Sequence, residues 1–275
     1  MPQERILVTV KTYPTLSKKY CETVCTAGLR EDGSWVRLYP IQFRTMEDSE
    51  RYSKFDWIEC DVFETHKDPR PESRHLDTSK EIKGIGHVGR EHDWEERRRL
   101  VLKKGPVVTS LKDLIESAKK NECSLATFKP ERILEFEVKP EEERNWDPAQ
   151  FDAAIKSLKQ RDLFENDDWK ETFRIVEKLP YSFFYRFTDV DGQESRMKIL
   201  DWEIGALYWN CLRKWKMDEK AAVEDVRKKY WTEFMKKDLH FFLGTTLQWH
   251  SIAPNPWTII GVFPIPVQRQ LTLDL

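Results

Sequence analysis

The feature that most restricts the fold of this sequence is a pair of β-type runs on either side of an Asp-Gly turn. The runs cover residues 20–29 and 34–41, and the turn contains Asp32-Gly33. Asp-Gly between alternating segments favours a tight hairpin, because glycine readily adopts the positive φ that such a turn requires. The sequence therefore predicts an antiparallel hairpin within residues 11–44.

Two more runs predict strands that precede and follow this hairpin. Residues 5–12 (RILVTVKT) alternate and are β-branched, and residues 55–64 (FDWIECDVFE) also alternate. Strands this short and this closely spaced, joined as a meander, predict a small barrel or a highly curved sheet. We expect residues 132–138 (RILEFEV) to form a fifth strand that closes this barrel after a helical excursion.

The second half of the chain repeats this order loosely. A second Asp-Gly pair, Asp191-Gly192, separates two strand-like runs, and helical patterns precede and follow them. The predicted fold class is therefore α+β, with two OB-like β-barrel halves that carry helical insertions. We place an N-terminal OB-like barrel with its helical insertion at residues 1–140, and a C-terminal α+β half with a second barrel-like sheet at residues 141–275.

Composition restricts the classes of function. The net charge is −2 and the pI is near 6.4, so a nucleic acid would have to be contacted by local basic patches. Five cysteines without a Cys-x-x-Cys pair argue against a disulfide framework and a zinc ribbon. The sequence has no apolar run of membrane-spanning length and no signal peptide, so we expect a cytoplasmic protein. No pattern predicts a cofactor or a metal ion.

The predicted hairpin mixes cations with aromatic rings, as the stacking surfaces of single-stranded nucleic-acid binders do. Trp35, Arg37 and Tyr39 alternate along one strand and so share a face, at a spacing of about 6.5 Å. The charged loop at residues 65–77 adds further polar groups. The residues that we expect to bind nucleic acid, by phosphate contact or base stacking, are Lys18, Lys19, Tyr20, Trp35, Arg37, Tyr39, Arg44, Arg70 and Glu72.

A packing role explains the same strand equally well. Trp35 and Tyr39 are suited to a core, and Arg37 can then pair with a carboxylate such as Glu59 or Asp61. In this interpretation the loop at residues 65–77 is an ordinary charged surface.

An enzyme is the alternative to a binding protein. A metal-dependent nuclease or nucleotide-processing activity would use His66, Asp68 and Glu72, or Asp201 and Glu203. No metal-ligand spacing such as His-Glu-x-x-His occurs, and paired carboxylates at the start of a helix are usually caps. We therefore expect binding rather than catalysis. A third hypothesis is a protein-interaction subunit whose second half docks a partner.

Short motifs near the amino end resemble the dual-OB domain of prokaryotic conflict systems. The matching pieces are Ser17-x-Lys19, Cys25-Thr26-Ala27-Gly28, Trp35-Val36-Arg37 and the loop that bears Glu72, all within residues 5–73. The chain would be a divergent member, because Leu38 follows Arg37 where a proline is expected. The resemblance implies that Lys19, Arg37 and Glu72 are the characteristic residues. It also implies binding of single-stranded DNA or RNA in anti-phage defence or mobile-element biology, with a possible partner protein of a defence system.

Overall fold

The structure is a computed structural model that describes residues 3–17, 21–46, 50–64, 67–159 and 175–268. The strands are β1 (Gln3–Lys11), β2 (Thr15–Ser17), β3 (Cys21–Leu29), β4 (Trp35–Ile41), β5 (Asp56–Phe63), β6 (Ser73–Leu76), β7 (Lys83–His87), β8 (Val107–Val108), β9 (Leu125–Phe128), β10 (Arg132–Pro140), β11 (Tyr181–Thr188), β12 (Glu194–Lys198), β13 (Asp238–Thr245) and β14 (Trp257–Ile265). The helices are α1 (Glu91–Arg98), α2 (Leu111–Lys119), α3 (Pro148–Lys159), α4 (Trp202–Lys214) and α5 (Glu219–Arg227).

Short helical segments extend α1 and α5, and one more follows β4. A π-helical segment (Arg99–Lys103) continues α1, and another (Lys228–Glu233) with a 3-10 turn (Phe234–Lys236) continues α5. A separate 3-10 turn (Phe43–Thr45) follows β4. Within the residues described, none of the helices is both long enough and apolar enough to cross a membrane.

Five strands close into a β-barrel in the first half of the chain. β1 pairs with β3, β3 with β4 and β5 with β1, all antiparallel. β6 completes the ring, parallel to β4 and antiparallel to β5. The turn between β3 and β4 has Gly33 at a φ of 88°, so the predicted hairpin is confirmed.

The strand that closes the barrel differs from the prediction. β6 lies inside the charged loop of residues 65–77, where Ser73 pairs with Arg37 of β4. The predicted closing strand, β10, instead pairs with β11, where Phe136 lies opposite Tyr185. β6 has no alternating apolar pattern, and neighbours on both of its edges supply its hydrogen bonds, so tertiary pairing overrides local sequence preference.

The second half contains two sheets rather than a clear second barrel. One has the order β10-β11-β12 and the other β14-β13-β9-β8, and a single bridge between Ile199 and Ile259 joins them. Among the described residues these pairings do not close into a ring. The fold is therefore α+β with one closed barrel, and the pairing of β8, β9 and β10 groups residues 107–140 with the second half.

Three hydrophobic clusters account for most of the core. One fills the barrel and includes Ile6, Val36 and Ile58, and another lies between the sheets and helices of the second half. The third joins the two halves, where Trp35 on the outer face of the barrel packs edge-on against Phe242 with ring centroids 5.5 Å apart. The outer face of β4 is thus an internal contact surface.

Candidate functional site

A cleft of about 490 Å³ lies between the barrel and the second half. The barrel contributes Tyr13, Arg37, Tyr39 and Arg70, and the second half contributes aromatic and basic residues that include Trp146, Lys178, Tyr181 and Lys198. We call this the tyrosine cleft, after Tyr13, Tyr39 and Tyr181. Three of the residues predicted to bind nucleic acid, Arg37, Tyr39 and Arg70, therefore meet in one place.

Arg37 forms the buried floor of this cleft. Its side chain is 1% exposed, and its guanidinium donates to the Ser124 hydroxyl at 2.6 Å, the Ser124 carbonyl oxygen at 2.9 Å and the Ser73 hydroxyl at 3.2 Å. Glu72 accepts from the Ser124 amide at 2.8 Å and from its hydroxyl at 2.5 Å. Burial lowers the pKa of Arg37. The Ser124 hydroxyl thus accepts a hydrogen bond from Arg37 and donates one to Glu72, so it links the two charged groups.

Arg70 lies beside Arg37 and forms a bidentate ion pair with Asp68. Its Nε and Nη2 lie 2.8 and 2.6 Å from the two carboxylate oxygens, and Nη1 donates to the Thr245 carbonyl oxygen. Both members are almost completely buried. Burial alone would raise the pKa of Asp68, but the bonds from Arg70 lower it. This arrangement fixes the position of both side chains and leaves little of either for direct contact with a phosphate.

The remaining predicted residues have varied positions. Tyr39 is 39% exposed at the rim of the cleft, whereas Trp35 is packed between the two halves. Arg44 donates to both oxygens of Glu22 at 2.8 and 2.9 Å, which places it in an ion pair outside the tyrosine cleft. The predicted row of Trp35, Arg37 and Tyr39 does share a face, but that face meets the second half. Lys18, Lys19, Tyr20 and His66 lie outside the described residues.

The carboxylates of the enzyme alternative already have protein partners. Lys54 lies between Asp201 and Glu203, with its ammonium 2.7 and 3.0 Å from their oxygens. Burial alone would raise the pKa of Glu203, but the Lys54 ammonium lowers it. Asp201 also caps α4 by accepting from the Glu203 amide, as its place before a helix suggests. In the described part of the chain, no three His, Cys, Asp or Glu side chains converge to hold a metal ion.

Sequence reasoning missed the residues that the second half contributes to the cleft. Trp146 precedes α3 and Tyr181 begins β11, and each directs its polar atom to another group, Trp146 to the Val176 carbonyl oxygen and Tyr181 to Glu219. Their rings therefore supply surface rather than free donors. The sequence around Trp146 is rich in charge and carries no signal for this role, because the cleft forms only where the two halves fold together.

The barrel, the two further sheets and the cleft between them define an α+β protein with a ligand-sized site at the junction of two halves. Residues 107–274 match the family model described as domain of unknown function DUF8757, and residues 2–103 match domain of unknown function DUF8758. The first of these spans more than half of the 275 residues, and the chain belongs to the DUF8757 family. The two matches adjoin, with residues 104–106 between them.

The chain has no match among the curated proteins. Among solved structures, a murine DNA-binding protein bound with double-stranded DNA matches over 100% of both chains, with 9% identity and a TM-score of 0.31.

Proposed function

We propose that this protein binds single-stranded nucleic acid and that the tyrosine cleft receives one or two of its bases. The observation that carries the proposal is the convergence of Arg37, Tyr39 and Arg70, which are dispersed in sequence, on one cleft with Trp146 and Tyr181. The volume of about 490 Å³ lies within the range of small-ligand pockets, so it suits individual bases better than a folded duplex.

The exposed and the buried residues have different roles in this proposal. Tyr39 offers a ring to stack on a base, an interaction that contributes about 1–3 kcal/mol. Lys198 is 45% exposed and pairs with Glu141 at 3.1 Å, and the half-buried Lys178 donates to the Glu143 carbonyl oxygen. In the complex, backbone phosphates would replace these contacts. Arg37 and Arg70 act from beneath by fixing the floor of the cleft, because their hydrogen bonds are used within the protein and Asp68 and Glu72 balance their charges.

The architecture supports an OB-type interpretation of the barrel. Counting only the five strands of the ring, the third runs parallel to the fifth, and the order around the ring is 1-2-3-5-4. OB-folds are five-stranded Greek-key barrels that bind oligonucleotides. We extend the proposal to a divergent dual-OB protein of a prokaryotic defence system, acting in the cytoplasm with a partner protein. That extension rests on the resemblance of the motifs between residues 5 and 73.

Fluorescence anisotropy with labelled oligo-dT and oligo-U at about 50 and 200 mM salt tests the proposal. We expect binding that weakens with salt, and a loss of about tenfold in Tyr39→Ala because one stacked base is lost. Tyr39→Phe keeps the ring and should bind like the wild type. The matched control is Phe63→Ala, which removes an exposed ring of the barrel outside the cleft. Equal affinities for Tyr39→Ala and Phe63→Ala, or no salt-dependent binding of either oligonucleotide, would count against the proposal.

A further inference from the structure

A second and larger cleft, of about 1040 Å³, lies elsewhere along the boundary of the two halves. It shares no lining residue with the tyrosine cleft. Cations on its walls outnumber carboxylates, with Lys11, Lys54, Arg90, Arg97, Lys229 and Lys237 against Glu91, Glu203 and Glu233. We call it the basic cleft. Its excess of positive charge contrasts with the slightly negative chain as a whole.

Four of these cations have no carboxylate partner. Lys54 pairs with Glu203 and Lys229 pairs with Glu233. Within the described ranges, by contrast, no carboxylate oxygen lies within 4.0 Å of the charged groups of Lys11, Arg90, Arg97 and Lys237. Arg90 and Lys237 are also exposed to solvent. A cleft that keeps unpaired cations on its walls is suited to an anionic ligand.

The low pKa of Lys11 reflects its burial and the positive charge near it. Its ammonium donates to the Tyr52 carbonyl oxygen at 3.0 Å and lies 4.1 Å from the centroid of the Phe43 ring. Burial, followed by repulsion from the neighbouring Lys54, lowers the pKa of Lys11 to about 8. An anion placed in the cleft would relieve this repulsion.

An aromatic surface stands beside the unpaired cations. The guanidinium of Arg90 lies 5.3 Å from the centroid of the Trp94 ring, and that of Arg97 lies 5.0 Å from it. Arg97 is fixed by two hydrogen bonds to the Val88 carbonyl oxygen, at 2.9 and 2.7 Å. Trp94 is half-buried and lines the cleft, so part of its surface remains available.

The backbone that presents Trp94 is unusual. His92, Asp93 and Trp94 have φ values of 48°, 54° and 65°, the left-handed region that non-glycine residues rarely occupy. Each such residue costs about 1–2 kcal/mol, and backbone strain of this kind is concentrated at ligand clamps and active sites. Here the left-handed turn sets the direction of Trp94 immediately before the regular part of α1.

We propose that the basic cleft binds the phosphate of a nucleotide, held by Arg90 and Lys237, while the base lies against Trp94. Guanidinium groups bind phosphate through paired hydrogen bonds, and aromatic rings stack on bases of any sequence. The volume is sufficient for a whole nucleotide. The source of the nucleotide is either a free molecule or the phosphorylated end of a nucleic-acid strand, because both present the same chemical groups.

Isothermal titration calorimetry of the full chain with ATP, with adenosine and with inorganic phosphate tests this proposal. We expect ATP to bind more tightly than either fragment, and Arg90→Gln and Trp94→Leu each to weaken it by about tenfold. Lys237→Gln should weaken binding, and the matched control Lys236→Gln should not, because Lys236 does not line the cleft. Thermal unfolding of each variant establishes that it is folded.

The remaining outcomes separate the two sources and the two clefts. Displacement of ATP by a 5′-phosphorylated oligonucleotide, but not by its unphosphorylated form, would assign the cleft to a strand end, and no displacement by either would assign it to a free nucleotide. Tyr39→Ala should leave ATP binding unchanged, so failure of the oligonucleotide proposal would not by itself affect this one. Absence of heat with ATP, or equal effects of Lys236→Gln and Lys237→Gln, would overturn the proposal.

Discussion

Arg37 of the barrel donates hydrogen bonds to both the hydroxyl and the carbonyl oxygen of Ser124, which lies 87 residues further along the chain. Glu72 binds the amide and the hydroxyl of the same serine. One small residue of the second half is therefore held by a cation and an anion of the first. This arrangement fastens the two halves together at the floor of the tyrosine cleft.

The first prediction is that Arg37→Met lowers the free energy of unfolding by about 3 kcal/mol. The variant leaves the Ser124 carbonyl oxygen without this donor, and it removes the guanidinium that Ser124 connects to the half-buried Glu72 carboxylate. Urea denaturation measures the change. The control is Arg5→Met, which breaks an ion pair with Glu31 whose members are both more than half exposed, and it should cost less than about 0.5 kcal/mol. Similar losses in the two variants would contradict the bracing role of Arg37.

The parts of the fold that depend on neighbouring residues were predictable from the sequence. Alternation in residues 5–12 and 55–64 predicted β1 and β5, and Asp32-Gly33 predicted the β3–β4 hairpin. These features are short-range because a strand's alternation and a turn's φ are set within a few residues. The shared face of Trp35, Arg37 and Tyr39 also followed from the period of a strand.

The parts that depend on distant partners were not predictable. β6 has only four residues and lacks a periodic pattern, because β4 and β5 on its two sides stabilise it. The sequence does not indicate that Ser124, rather than Glu59 or Asp61, would be the partner of Arg37. The two clefts were not predictable from the sequence for the same reason, because each exists only where the two halves meet.

A second prediction concerns Gly28, where β3 passes between β1 and β4. A Cβ at this position would lie 2.2 Å from the Leu7 carbonyl oxygen and 2.6 Å from a methyl of Ile6. The first of these is backbone and cannot rotate away, so Gly28→Ala should lower the free energy of unfolding by about 3 kcal/mol or prevent folding. Thermal unfolding and the yield of folded protein measure this effect.

Gly84 provides the matched control for that substitution. It also lies in a strand, β7, but among the described residues, its two chain neighbours apart, no heavy atom lies within 4 Å of where its Cβ would be. Gly84→Ala should therefore change the free energy of unfolding by no more than about 1 kcal/mol, and the loss of backbone freedom in the unfolded chain would make the change stabilising. If Gly84→Ala proved as harmful as Gly28→Ala, steric contact would not be the reason for glycine at position 28.

A third prediction is that stability falls as the pH is lowered from about 7 to about 5. Burial lowers the pKa of His240 from 6.5 to about 4, so the unfolded chain binds a proton in this interval before the folded protein does. Neutral His240 therefore adds to the free energy of unfolding above the ordinary histidine pKa, and this contribution is lost as the pH falls. Between pH 7 and pH 5 the loss is about 1–2 kcal/mol. Urea denaturation at several pH values measures the slope.

His240→Gln isolates this contribution. Burial also lowers the pKa of His250, so the wild-type slope contains more than one histidine, and the difference between wild type and His240→Gln is the informative quantity. We expect the variant to have the shallower slope, whatever its absolute stability. An unchanged slope would show that protonation of His240 is not linked to unfolding.

The fourth prediction follows from the surroundings of Lys11 in the basic cleft. The charged groups that act on its ammonium are Lys54, which lowers its pKa together with burial, and Glu203, Asp56 and Asp201, which raise it. The net result is a lysine that loses its proton near pH 8 in the free protein. A bound phosphate would favour the protonated form.

Binding of ATP should therefore weaken as the pH rises through about 8, because the free protein increasingly presents a neutral Lys11 that must take up a proton. Titration calorimetry between about pH 7.5 and pH 9.5 should show an affinity loss of about fivefold, with heats that depend on the buffer. Lys11→Met should flatten this dependence, and Lys236→Met, outside the cleft, should keep it. A pH dependence that persists in Lys11→Met would assign it to another group and separate Lys11 from the ligand.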